Sequence, residues 1–81
     1  MRVSYFGRLR EQLQTESEEF YLITEIRTAG ELRDWLVKNR RNGSCLQDKS
    51  VRVIIGDDIA TWEDKVNNTS EVAFIPPVSG G

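Results

Sequence analysis

Thr28-Ala29-Gly30-Glu31-Leu32-Arg33-Asp34-Trp35-Leu36 carries both the start signal of a helix and its buried stripe. Thr28 as N-cap with Glu31 three positions later matches a capping box, in which each side chain satisfies an otherwise orphaned backbone donor. Ala29, Leu32, Trp35 and Leu36 recur at helical spacing and form one apolar face, as expected of a helix lying on a sheet. At that spacing Trp35 reads as core rather than as a ligand platform. Asn42-Gly43 supplies a stop, and Arg40-Arg41 falls where a cation favours a helix C-terminus.

The segments on either side read as strands. Val51-Arg52-Val53-Ile54-Ile55 is β-branched at four of its five positions. Gly56-Asp57-Asp58 follows as a turn, then Ile59-Ala60-Thr61-Trp62 as a short strand leading into Glu63-Asp64-Lys65. After Asn67-Asn68-Thr69-Ser70 the last strand runs from Glu71 to Ile75. On the N-terminal side, Met1 to Phe6 forms a first strand with Val3 and Tyr5 on one face. Gly7 to Gln14 forms a short helix with Leu9 and Leu13 four apart. Thr15-Glu16-Ser17-Glu18-Glu19 reads as a solvated turn and Phe20-Tyr21-Leu22-Ile23 as a second strand. The order predicts an α+β fold, a mixed sheet with one principal helix on one face. Residues 1–75 would make the folded domain and residues 76–81 an extended tail.

With 81 residues and 38% hydrophobic content, the chain has room for one small domain. Such a domain buries only about 60–65% of its extended-chain surface, so an internal substrate cavity would compete with its core. Function is expected at the surface or at a terminus. The net charge of −2 comes from interspersed acids and bases, without the basic, aromatic-interleaved stretch of a nucleic-acid binder. Histidine is absent, which removes the commonest general base and metal ligand. Cys45 is the single cysteine and reads as a small, partly buried filler, neither a disulfide partner nor part of a zinc site. The Glu16–Glu19 run and Asp57-Asp58 read as turn residues rather than a metal site or a catalytic dyad. No signal peptide or membrane span is read, so a cytoplasmic location is expected and the sequons at Asn42, Asn67 and Asn68 carry no meaning.

The chain closes on Pro76-Pro77-Val78-Ser79-Gly80-Gly81. Two prolines resist helix and ladder pairing and favour an extended path. The glycines have no side chain, so the last peptide can enter a narrow active site. Six residues from Pro76 onward reach roughly 20 Å at about 3.3–3.6 Å each. The reactive group expected is the main-chain carboxylate of Gly81, presented to another enzyme. Strand parity adds a second expectation. With Val3, Tyr5, Val72 and Phe74 facing the helix, Phe6 and Ile75 face away. Ile59 would lie nearby, giving an apolar patch beside the tail root, of the kind that marks an interface.

Glu71-Val72-Ala73-Phe74-Ile75-Pro76-Pro77-Val78-Ser79-Gly80-Gly81 closely resembles the ending of the molybdopterin synthase small subunits, the MoaD family. Phe6-Gly7-Arg8-Leu9-Arg10-Glu11 resembles that family's first-helix signature, usually with Ala where Gly7 stands. Thr28 to Leu32 is similar to its second helix start, and Val51 to Ile55 to its central strand. The resemblance implies a β-grasp, ubiquitin-like fold. It also implies that a separate ATP-dependent activating enzyme adenylates Gly81, that a sulfur donor protein converts it to a thiocarboxylate, and that the sulfur passes to cyclic pyranopterin monophosphate inside a large subunit. Catalytic groups would belong to that large subunit, in a heterotetramer, and this chain would be a carrier with no bound cofactor and no metal. Phe6, Ile59 and Ile75 correspond by position to the family's apolar contact with the large subunit, and Cys45 to no functional position. Two turns depart from the pattern: Asn68-Thr69-Ser70 replaces a frequent Asp-Gly-Asp, and Asp57-Asp58 a frequent Asn-Gln.

Other carriers on this fold, for thiazole and thiamin synthesis, and ubiquitin-related modifiers share the diglycine but usually lack Pro-Pro-Val ahead of it. A modifier would leave Gly81 in an isopeptide bond, whereas a cofactor carrier would recycle with Gly81 free. A ubiquitin-like binding module with an inert tail would be indifferent to loss of Gly81.

Overall fold

A computed structural model describes residues 1–21 and 25–76 of the chain. Thr28 is the N-cap of α2 (Ala29–Asn39) and the capping box is complete. The Glu31 amide donates to Thr28 Oγ1 at 3.1 Å, and the Thr28 amide donates to Glu31 Oε1 at 3.1 Å. The next two free donors are met from outside the helix, Ala29 N by the Asp64 carbonyl and Gly30 N by the Trp62 carbonyl, at 2.9 and 2.8 Å. The segment after the third and fourth strands therefore fixes where the helix begins.

The strands are β1 (Arg2–Tyr5), β2 (Ser17–Glu19), β3 (Arg52–Ile55), β4 (Asp58–Ala60) and β5 (Glu71–Ile75), in the spatial order β2-β1-β5-β3-β4. β5 is central, parallel to β1 and antiparallel to β3. The short helix α1 (Gly7–Leu13) follows β1. This is the expected mixed sheet, with the β-grasp order. Val3, Tyr5, Val53, Val72 and Phe74 face the helical layer and pack with Leu9, Leu13, Leu32, Leu36 and Leu46 in one core. Full burial of a side chain of this size stabilises by about 1.5–3 kcal/mol. Phe74 is stacked between Tyr5 and Trp62, with ring centroids 6.1 and 6.2 Å away. Arg33 lies over the outer ring of that stack, 4.3 Å from the Trp62 centroid.

Three expectations need correction. The second strand is Ser17–Glu19, within the stretch read as a turn, and Phe20 and Tyr21 lie beyond it. Glu18 explains the misreading, because an inward carboxylate looks like a loop residue unless its partners are known. Tyr5 Oη donates to Glu18 Oε2 at 2.9 Å, and Arg40 Nε donates to the same oxygen at 2.9 Å. Arg40 therefore serves as more than a charge at the helix end; its Nη2 also donates to the Leu13 carbonyl, at 2.8 Å. Leu22 and Ile23, the remainder of the expected strand, lie outside the described residues.

The second correction is a 3-10 helix at Gly43–Gln47, where only a stop was expected. Asn42 takes the left-handed conformation, and a Cβ on Gly43 would collide with the Leu36 carbonyl, so that turn lies directly on α2. Third, β4 ends at Ala60, and Trp62 leaves the sheet to cover Phe74. Trp35 is only partly buried and meets Phe20 edge-on, with ring centroids 5.6 Å apart.

Candidate functional site: the tail root and the open face of the sheet

β5 is held on both sides until its last residue. The Phe6 amide donates to the Phe74 carbonyl at 3.2 Å, and Ile75 lies opposite Arg52 on β3. Pro76 then has no N–H to continue a ladder. Its ring rests against Gly7, the first residue of α1, where φ is +54°. A Cβ there would come within 2.8 Å of Pro76 Cγ. The root of the tail is thus gripped by the β1–α1 corner. Pro77, Val78, Ser79, Gly80 and Gly81 lie outside the described residues, so the expected extended path beyond Pro76 has no counterpart here.

On the face opposite α2, the register assembles the expected patch and adds to it. Phe6 is extended, so it continues the parity of β1 and points away from the core, 49% exposed. Ile75 shares that face beside it. Ser4, Ala73, Ile54 and Ile59 stand in line one pair further from the tail. Ile59 is 82% exposed. Phe6 and Ile59 are on strands three apart, roughly 14 Å at the usual interstrand spacing. Ile54 and Ala73 connect them into one surface. Ile54 was missed because the faces of Val51–Ile55 were not assigned, although inward Val53 requires outward Ile54.

The other expected features take structural places. Cys45 is half-buried in an open groove of about 360 Å³ between α1 and the 3-10 helix, which Arg8, Asp48 and Pro76 also line. Burial pushes its thiol above the ordinary value, which lowers the thiolate fraction near neutral pH. Asp58 begins β4, while Asp57 lies in a turn that Gly56 makes possible at φ +64°. Among the described residues no cluster of acids and cysteine could hold a metal ion, and no helix is long and apolar enough to cross a membrane.

The sequence matches the ThiS family over residues 3–81. This chain belongs to the ThiS family. Like the MoaD carriers, members of the ThiS family are small ubiquitin-like sulfur carriers, and the chain itself is not the catalyst. Solved structures share the fold. Small archaeal modifier protein 1 from Haloferax volcanii superposes with a TM-score of 0.80 at 22% identity, over 100% of this chain and 98% of that one. A Pyrococcus furiosus protein provisionally named molybdopterin converting factor subunit 1 superposes with a TM-score of 0.77 at 22% identity, over 95% of both chains. Both support a β-grasp, ubiquitin-like domain for this ThiS-family chain.

Proposed function

We propose that this chain is the sulfur-carrying small subunit of a cytoplasmic molybdopterin synthase. A carboxylate is a poor electrophile. ATP-dependent adenylation of Gly81 would release pyrophosphate and provide AMP as a leaving group. A persulfide on the donor protein would then displace AMP, and a second thiol would cleave the acyl disulfide so formed, leaving the thiocarboxylate and a donor disulfide. Docked in the large subunit, the tail would deliver that nucleophile to cyclic pyranopterin monophosphate at high effective molarity. Acid–base groups would come from the large subunit, in keeping with a carrier that has no histidine.

The observation that carries this reading is the passage from β5, hydrogen-bonded on both edges, straight into Pro76-Pro77-Val78-Ser79-Gly80-Gly81 with no spacer between. The Pro-Pro-Val element favours the molybdopterin carriers over those of thiazole synthesis. Phe6, Ile54, Ile59, Ala73 and Ile75 would be the surface that meets the large subunit. The name of the Pyrococcus protein supports the same reading. Likeness to the archaeal modifier supports a second one, in which activated Gly81 is joined to a lysine of another protein.

Reconstitution separates them. The chain is incubated with activating enzyme, ATP, a sulfur donor, large subunit and cyclic pyranopterin monophosphate. Formation of the dithiolene with release of chain ending in a free carboxylate is expected. Isopeptide-linked products without dithiolene would favour the modifier.

A further inference from the structure

The end of the domain from which the tail leaves is basic, although the chain as a whole is acidic. Arg52, on β3, lies opposite Ile75, and its Nη1 donates to the Lys49 carbonyl at 3.1 Å, which turns the guanidinium towards the loop at that end of the sheet. Lys49 is exposed on this loop. Arg8, in the first turn of α1, is exposed and lines the same groove as Pro76. Among the described residues, no carboxylate forms an ion pair with any of the three. Two acids stand beside them among the described residues: Asp48, whose Oδ1 already accepts the Ser50 amide at 2.8 Å, and Glu11, three positions on from Arg8 in α1. With these five set aside, 11 acids face 8 bases in the rest of the chain.

We propose that Arg8, Lys49 and Arg52 form a basic collar around the tail root, and that the collar recognises carboxylates on the enzyme that activates Gly81, at the mouth of the channel the tail enters. This rests on the tail being activated, but not on where the sulfur or the tail goes next. Both readings proposed for Gly81, carrier and modifier, begin with its activation, which is why the activating enzyme is the partner to which the collar is assigned. Protein carboxylates fit better than nucleotide phosphates, because five residues beyond Pro76 can hold Gly81 up to about 17 Å from it. The phosphates that meet Gly81 would sit at the far end of the tail. Unpaired surface cations of this kind steer encounter with an acidic partner and set register more than they add static affinity.

The test is ATP–pyrophosphate exchange by activating enzyme purified from the chain's own source cells, with chain concentration varied at low and raised NaCl. For the unaltered chain, KM should climb steeply with salt. R8E/K49E/R52E should raise KM about tenfold at low salt, flatten its salt dependence and leave kcat unchanged. The milder R8Q/K49Q/R52Q should fall between, and K65E, near the start of α2, should match the unaltered chain. Circular dichroism checks that these surface variants remain folded. An unchanged KM and salt dependence in both triple variants would overturn the collar, as would an effect confined to the KM for ATP. Absence of exchange with the unaltered chain would overturn the activation reading itself, and the collar with it.

Discussion

Gly7 and Pro76 fit against each other so closely that a single added carbon would part them. A Cβ on Gly7 would stand 2.8 Å from Pro76 Cγ, and Gly7 also holds φ at +54°. The left-handed backbone alone costs an alanine roughly 1–2 kcal/mol. Gly7→Ala should therefore destabilise the domain by about that amount and push Pro76 outward. Denaturant unfolding gives the first quantity. The second should appear as chemical-shift changes concentrated at Phe6–Leu9 and Ile75–Pro76. Wild-type stability with unchanged shifts would mean that the corner relaxes without cost.

The Tyr5–Glu18–Arg40 arrangement predicts a loss on truncation. Glu18→Ala removes an acceptor shared by a buried phenol and a guanidinium, and should cost about 1–3 kcal/mol, more than most surface changes. Urea titration of the variant measures it. A loss under half a kilocalorie would demote the network to a surface contact.

Tyr5 also imposes an alkaline limit. Burial, then the Glu18 hydrogen bond and charge, hold its phenol above the ordinary value of 10.0, with Arg40 opposing. An unfolded chain loses this proton near pH 10 while the folded chain keeps it. The stabilising contribution of Tyr5 is therefore constant and fully present below that pH, and stability falls above it by up to about 1.4 kcal/mol per pH unit. Tyr5→Phe should be less stable by a constant amount at neutral pH and should converge on the wild type above pH about 10. Parallel curves through the alkaline range would contradict this.

Thr28→Ala removes half of the capping box and should cost about 1 kcal/mol, with Thr28→Ser retaining most of the stability. Thermal unfolding of both variants is the check, and equal losses would point to packing by the Thr methyl instead.

Ile59→Asp separates docking from folding. At 82% exposure, Ile59 contributes little to the domain, so unfolding should change by no more than about 0.5 kcal/mol. Binding to the large subunit should weaken by at least about 2 kcal/mol if this face is the core of the interface. Calorimetric titration decides it, and unaltered affinity would remove Ile59 from the surface.

The sequence made the principal helix and β5 legible because each carries its own signal. Thr28 and Glu31 spell out a cap, and Val72 and Phe74 alternate with outward neighbours. β2 was hidden because its inward residue is Glu18, whose partners are 13 and 22 positions away. The 3-10 helix at Gly43–Gln47 was hidden for a similar reason, since it depends on Gly43 lying against α2. Parity found Phe6 and Ile75 but could not align one strand with another. The register Ile54↔Ile59 and Arg52↔Ile75 completes the apolar face and brings a cation to the tail root.

Sulfur on Gly81 would be visible in the intact mass of this chain purified gently from its own cells. A fraction heavier by one oxygen-to-sulfur exchange is expected, located at Gly81 by fragmentation and lost on deletion of that residue. An unmodified carboxylate throughout, persisting after incubation with ATP, a sulfur donor and cell extract, would contradict it.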